Sequence, residues 1–127
     1  MTKASHDPKD QEQGNWTVQY YQAEDGESPI EEFLDALSKK ARAKCLSYLT
    51  LLEERGFYLP SSFIKKVRGK IWELRPEWSG TEYRFFYVAM VGQRLMILHA
   101  IQKQSQKFKE RDIQLAENRY EEVLQEV

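Results

Sequence analysis

Residues 63–87 read FIKKVRGKIWELRPEWSGTEYRFFY, and this stretch restricts the fold more than any other. Extended, aromatic-rich runs share it with Lys65, Lys66, Arg68, Lys70, Arg75 and Arg84, so one hairpin must supply both core and a cationic surface. Successive side chains of a strand point to opposite faces. From Arg68 onward, Lys70, Trp72 and Leu74 fall on one side and Ile71, Glu73 and Arg75 on the other. That alternation predicts one buried face and one face free for chemistry. Residues 76–81, with Gly80 for the turn, separate the first strand from the second.

The rest of the chain can be built around this hairpin. A chain of 127 residues supports one core; we expect a mobile tail over 1–14 and one domain over 15–127. Residues 16–22, WTVQYYQ, have the β-branched and aromatic content of a first strand. Ser28, Pro29 and Glu31 then spell a helix start with a capping box, followed by Ile30, Phe33, Leu34 and Leu37 at helical spacing. Ser38 caps a second helix over 39–55 with Ala41, Cys45, Tyr48, Leu49 and Leu52 inward, closed by Gly56. After the hairpin, 94–101 (RLMILHAI) adds a strand to a meander, and a last helix over 110–125 has Ile113, Ala116, Tyr120 and Leu124 near helical spacing. The order β-α-α-β-β-β-α defines an α+β protein with a mainly antiparallel sheet of about four strands packed against helices.

Charge adds a polarity that the formal net of −1 conceals. Residues 63–111 carry 11 Lys/Arg against 4 Asp/Glu, a net +7, which leaves 8 against 16, or −8, for the remainder of the chain's 19 basic and 20 acidic residues. A positive region of this kind suits a polyanion such as a phosphate backbone, although a solubilising face has the same composition. The lone Cys45 can form neither an internal disulfide nor a CxxC site, and reads as a small buried helix residue. With no spanning apolar run and no secretory leader pattern, a cytoplasmic protein is expected.

Motifs mostly exclude. A glycine-rich phosphate loop, HExxH, Gly-x-Ser-x-Gly and metal-spaced His/Cys clusters are all missing from the sequence, so no cofactor is expected. Of the two histidines, His6 falls in the tail; His99 is the imidazole to weigh for acid or base work, or as an ordinary strand residue.

Three patterns now occur together and in order: KxRGxxWELR, YRxFY and LHxxxK, within KVRGKIWELRPEWSGTEYRFFYV and ILHAIQKQSQK, followed by the helix ERDIQLAENRYEEVL. Over residues 16–124 the chain resembles the RelE/HigB superfamily of bacterial type II toxin-antitoxin toxins, and is most similar to its phage-associated HigB-like branch. The resemblance implies a RelE-like fold and a cofactor-free, metal-independent endoribonuclease (mRNA interferase) that cleaves mRNA on the ribosome. It further implies a cognate antitoxin partner of the helix-turn-helix kind. Guanidinium and ammonium groups suit such a reaction, because 2′-hydroxyl attack on phosphorus builds negative charge on the phosphoryl oxygens.

Carried over residue by residue, Arg68, Arg75 and Arg84 match recurrent basic positions, and Lys103 matches a basic position after the last strand. Arg75, Arg84 and Lys103 should then open onto one concave surface. Glu73 is the nearest candidate base, or else a structural ion pair with Arg75 or Arg84; with His99 these complete the candidate catalytic set. Lys66, Lys70 and Lys107 would bind RNA, and Tyr83 would stack on a base. The chain departs from many relatives in having Gln104 after Lys103 and few histidines. A noncatalytic module of the same fold, a ParE-like gyrase inhibitor or a phage RNA-binding protein, remains the alternative.

Overall fold

The structure is a computed structural model that describes residues 16–103 and 110–126. The expected tail over 1–14 lies outside the described residues, as does Lys107. Strand β1 (Thr17–Tyr20) leads to α1 (Pro29–Asp35) and α2 (Lys39–Arg55), and a 3-10 turn over Gly56–Tyr58 follows. Strands β2 (Ile64–Arg68), β3 (Ile71–Leu74), β4 (Glu77–Trp78), β5 (Thr81–Met90) and β6 (Arg94–Gln102) come next, then α3 (Glu110–Gln125).

Local chemistry accounts for the helix limits. Pro29 occupies the first turn of α1, where a missing N–H is harmless. The expected capping box does not form, since the Ser28 side chain makes no cap hydrogen bond; its hydroxyl instead accepts from Gln22 Nε2 at 3.4 Å. Ser38 does cap α2, accepting from the Ala41 N–H at 3.2 Å. Gly56 ends that helix at φ +55, and a Cβ there would collide with the Trp16 indole. Only glycine admits both the turn and the ring.

The sheet is mixed and six-stranded, ordered β1-β6-β5-β3-β2 with β4 paired to β5, where about four antiparallel strands were expected. Three features make the difference, one being β4, which forms within residues 76–81 where only a turn was expected. Strand β1 lies parallel to β6, with Thr17 opposite Arg94. The run expected as one strand through Arg68 is itself a hairpin, because Gly69 at φ +57 begins a two-residue turn. A register shift between Lys66 and Arg68 adds a bulge beside that turn. Lys70 therefore sits in a turn, off the strand face it was expected to share with Trp72 and Leu74.

Both faces of the sheet are covered, which overturns the expectation of one open face. Ile30, Leu34, Ala41, Cys45, Leu49 and Leu52 of α1 and α2 pack on Leu74, Phe85, Tyr87, Leu95 and Ile97. On the opposite face α3 sets Ala116 and Val123 against Ile71, Phe86, Val88 and Leu98. Leu124, expected in the α3 stripe, is exposed and Val123 is inward instead. Burial pushes the Cys45 thiol up to about 12, consistent with an inert core residue. Among the described residues no helix is long and apolar enough to cross a membrane.

Candidate anion-binding site

On the α3 side of the sheet, hydrogen-bond register aligns a row of side chains across four strands. Lys65 faces Glu73, Glu73 faces Phe86, and Phe86 faces His99. One step along the strands come Arg75 at the end of β3 and Arg84 opposite Ile101. Glu82 follows two residues before Arg84 on the same face, and the Lys103 N–H donates to its backbone oxygen at 2.8 Å. Apolar packing under α3 thus gives way, at one end of the sheet, to a charged cluster.

Glu73 is the buried centre of this cluster. Its carboxylate lies 3.4 Å from Arg75 Nε and 3.6 Å from Arg84 Nε. Burial pushes the Glu73 carboxyl above its ordinary range, against the pull of Arg84, Arg75, Lys65 and Lys103. Side-chain exposure decides its role: Glu73 is 2% exposed and Arg84 3%, while Arg75 is 28% exposed. A ligand can reach Arg75 but not Glu73. This placement, buried between two guanidinium groups, matches the ion-pair alternative expected for Glu73 more closely than a base open to a ligand.

Arg84 is hydrogen-bonded on two edges: Nη1 donates to the Tyr83 carbonyl at 2.8 Å and Nη2 donates to Glu82, while the buried Nε lies 3.6 Å from Glu73 without a hydrogen bond. Glu82 also lies 3.8 Å from Lys103 Nζ. The hydrogen bond from Arg84 holds the Glu82 carboxyl below its usual range. Ser62, Arg75, Glu77, Glu82 and Arg84 line an open pocket of about 200 Å³. Arg75 and Arg84 thus share one concavity, and Lys103 joins through Glu82 without lining it.

The other candidates lie elsewhere. Arg68 pairs with Glu110 at 2.8 Å and Glu117 at 3.0 Å, tying β2 to α3. Its place beside the Gly69 turn, past the bulge, carries it away from Arg75. Lys70 borders a separate groove of about 330 Å³ with Gln114, Glu117, Asn118 and Tyr120. Lys66 is exposed and in register with Trp72, so it belongs to the opposite face from Glu73. Tyr83 is buried, edge-on to Phe33 at 6.3 Å, which removes it as a stacking platform. His99 stacks on Phe86 at 5.9 Å and lies 3.0 Å from Asp112 of α3, with its pKa lowered by burial. It secures the helix and does not join the cationic cluster.

Lys65 and Glu82 were missed by sequence reasoning. Glu82 was legible from two-residue alternation with Arg84, whereas Lys65 meets Glu73 only once the Gly69–Lys70 turn fixes the register. Among the described residues no three His, Cys, Asp or Glu side chains are grouped to hold a metal ion. The arrangement suits an oxyanion, which Arg75 and the Arg84–Lys103 pair can meet from two sides.

Fold and pocket together define a small α+β protein with a charged pocket, lined by Arg75, Arg84, Glu77 and Glu82, at one end of a mixed sheet. The chain belongs to the family of phage-derived Gp49-like proteins (DUF891), matched over residues 32–121, within the RelE/HigB-type toxin-antitoxin superfamily. That family is phage-derived and toxin-like, and membership suggests an antitoxin partner. No curated protein matches the chain.

Proposed function

We propose that this protein is the toxin of a toxin-antitoxin pair, and that the Arg75–Arg84 pocket binds a phosphate of ribosome-associated mRNA during cleavage. The observation that carries this reading is the convergence of Arg75, Arg84 and Lys103 around Glu73 and Glu82. In the reaction, the RNA 2′-oxygen forms a bond to the adjacent phosphorus as the bond to the 5′-oxygen breaks, leaving a 2′,3′-cyclic phosphate. The 2′-hydroxyl loses a proton and the departing oxygen gains one. Charge growing on the nonbridging oxygens is met by Arg75 and by the Arg84–Lys103 side of the pocket. Such preorganised donors favour the transition state over the ground state. Glu73 acts as a positioning residue, fixing both guanidinium groups without touching RNA.

Translation-dependent mRNA cleavage in a cell-free extract tests the proposal. Arg75→Ala and Lys103→Ala should each suppress cleavage and toxicity while the protein stays folded. Full activity in both variants would remove this pocket from the mechanism.

One observation favours a second reading, a noncatalytic module that inhibits gyrase or binds RNA. Both candidate acid-base groups lie away from the pocket opening: Glu73 is buried and doubly paired, and His99 is tied to Asp112 beneath α3. Intact mRNA together with gyrase inhibition, or with RNA binding alone, would select this alternative. A cognate antitoxin, of helix-turn-helix type in the relatives the sequence resembles, is the protein partner proposed under either reading. Co-expression with the adjacent reading frame, followed by isolation of a complex, tests for it.

A further inference from the structure

We infer that Glu82 is a built-in competitor at the pocket: its carboxylate occupies the place that an RNA phosphodiester takes, and RNA binds by exchange with it. This rests on the phosphate-site reading above. Arg84 has one edge turned toward the pocket, Nη2, and that edge already donates to Glu82. The same carboxylate oxygen lies 3.8 Å from Lys103 Nζ, so it bridges the two cations an incoming phosphate would use.

The geometry also allows the exchange. The Glu82 side chain is 47% exposed while Arg84 beneath it is 3% exposed, so the acid is the outer partner and can leave without unpacking the sheet. Its backbone is fixed by the Lys103 N–H at 2.8 Å and by pairing with β4, which leaves rotation of the side chain as the motion needed. Glu77 stands directly across from Glu82. Like charges opposite one another are unfavourable, and the two cations offset that repulsion whichever anion they hold. Arg84 stays anchored through Nη1 on the Tyr83 carbonyl and through Glu73 during the exchange.

The closed state discriminates among anions. A lone carboxylate or halide offers little that Glu82 does not already provide. A phosphodiester along a strand brings oxygens to Arg75 as well, and neighbouring phosphates add to the attraction. A single-stranded polyphosphate backbone is therefore the ligand class that opens the site, and under the proposed function that strand is RNA.

The test is equilibrium binding of a labelled 2′-O-methyl oligoribonucleotide, which cannot undergo 2′-hydroxyl attack, at fixed salt. Glu82→Gln should tighten binding by up to roughly fivefold, the scale of one partly exposed ion pair. Glu82→Asp keeps the charge but withdraws it by one methylene, and should also tighten binding. Glu54→Gln, the same charge change on the exposed outside of α2, should leave binding as in the parent. Tightening by Glu82→Gln with Glu82→Asp unchanged would mean that charge alone matters, and would overturn the inference. Weaker binding by Glu82→Gln would do the same, by making Glu82 a support for Arg84. If Arg75→Ala weakens binding while both Glu82 variants match the parent, the exchange falls and the phosphate site stands. Unchanged binding in Arg75→Ala removes the site and the exchange together.

Discussion

Two ends of one sheet face carry charge and use it differently. At the α3 seam polar groups meet partners from a distant part of the chain. Arg68 lies between Glu110 and Glu117, Arg119 donates to the Leu98 carbonyl at 2.9 Å, and the Tyr21 hydroxyl donates to Glu122 at 2.6 Å. At the other end, Arg75, Arg84 and Lys103 cluster on neighbouring strands around Glu73 and Glu82, where cations outnumber the acids paired to them. The seam spends its charge on docking a helix. The pocket leaves its charges at an open surface, with Arg75 and Arg84 set beside Glu77 and Glu82. Family membership alone would not have separated them, because both ends contain arginines from the same cationic stretch.

The largest test of this contrast is thermodynamic. Removing one partner of a buried ion pair leaves the other charge stranded, which costs about 3–5 kcal/mol. Glu73→Ala should therefore lower stability on that scale in urea unfolding, since both Arg84 and Arg75 lean on it. A loss no larger than that of an exposed acid would show that the cluster hydrates freely and is not a built site. Next comes function. Arg75→Ala should reduce mRNA cleavage by roughly 100-fold, the scale of one lost oxyanion donor, with a smaller fall in unfolding midpoint than Glu73→Ala, because Arg84 still faces Glu73. Arg68→Ala should do the reverse: it keeps cleavage, and it raises amide exchange in α3 in a salt-dependent way, because its partners sit on that helix. Equal loss of cleavage in both would erase the distinction between seam and pocket.

Much of the fold was legible because it depends on local signals. Ser38, Gly56 and the periodic apolar residues set α2, and the stated limits of α3 match as well. What escaped was nonlocal. The Gly69–Lys70 turn looks like a strand interior because VRGKIW keeps aromatic and β-branched residues on both sides. The parallel pairing of β1 with β6 leaves no mark in either strand. The site divided in the same way. Arg75 and Arg84 follow from alternation along strands that pair through β3 and β5, whereas Arg68 was grouped with them by the family resemblance, which does not carry the turn at Gly69–Lys70 that separates it. Tyr83 shows the converse: two-residue alternation already puts it opposite Arg84, so its burial beside Phe33 could have been anticipated.

The smallest expected effect sharpens the seam. Burial lowers the His99 pKa, against the opposing pull of Asp112 at 3.0 Å. An unfolded histidine titrates near about 6.5. Between that value and the lower native one, the unfolded chain binds a proton that the native protein resists. Stability contributed by neutral His99 is thus present above the unfolded pKa and declines as pH falls through this window, with no further loss below the native pKa. Urea midpoints across the window should fall more in the parent than in His99→Gln, which cannot titrate. Asp112→Asn should extend the decline to lower pH, since it removes the group that raises the native pKa. Arg119 also faces this imidazole and disfavours its charged form, so Arg119→Gln should shorten the window instead. Cleavage normalised to the folded fraction should stay level across all three variants, because His99 belongs to the helix seam and not to the pocket.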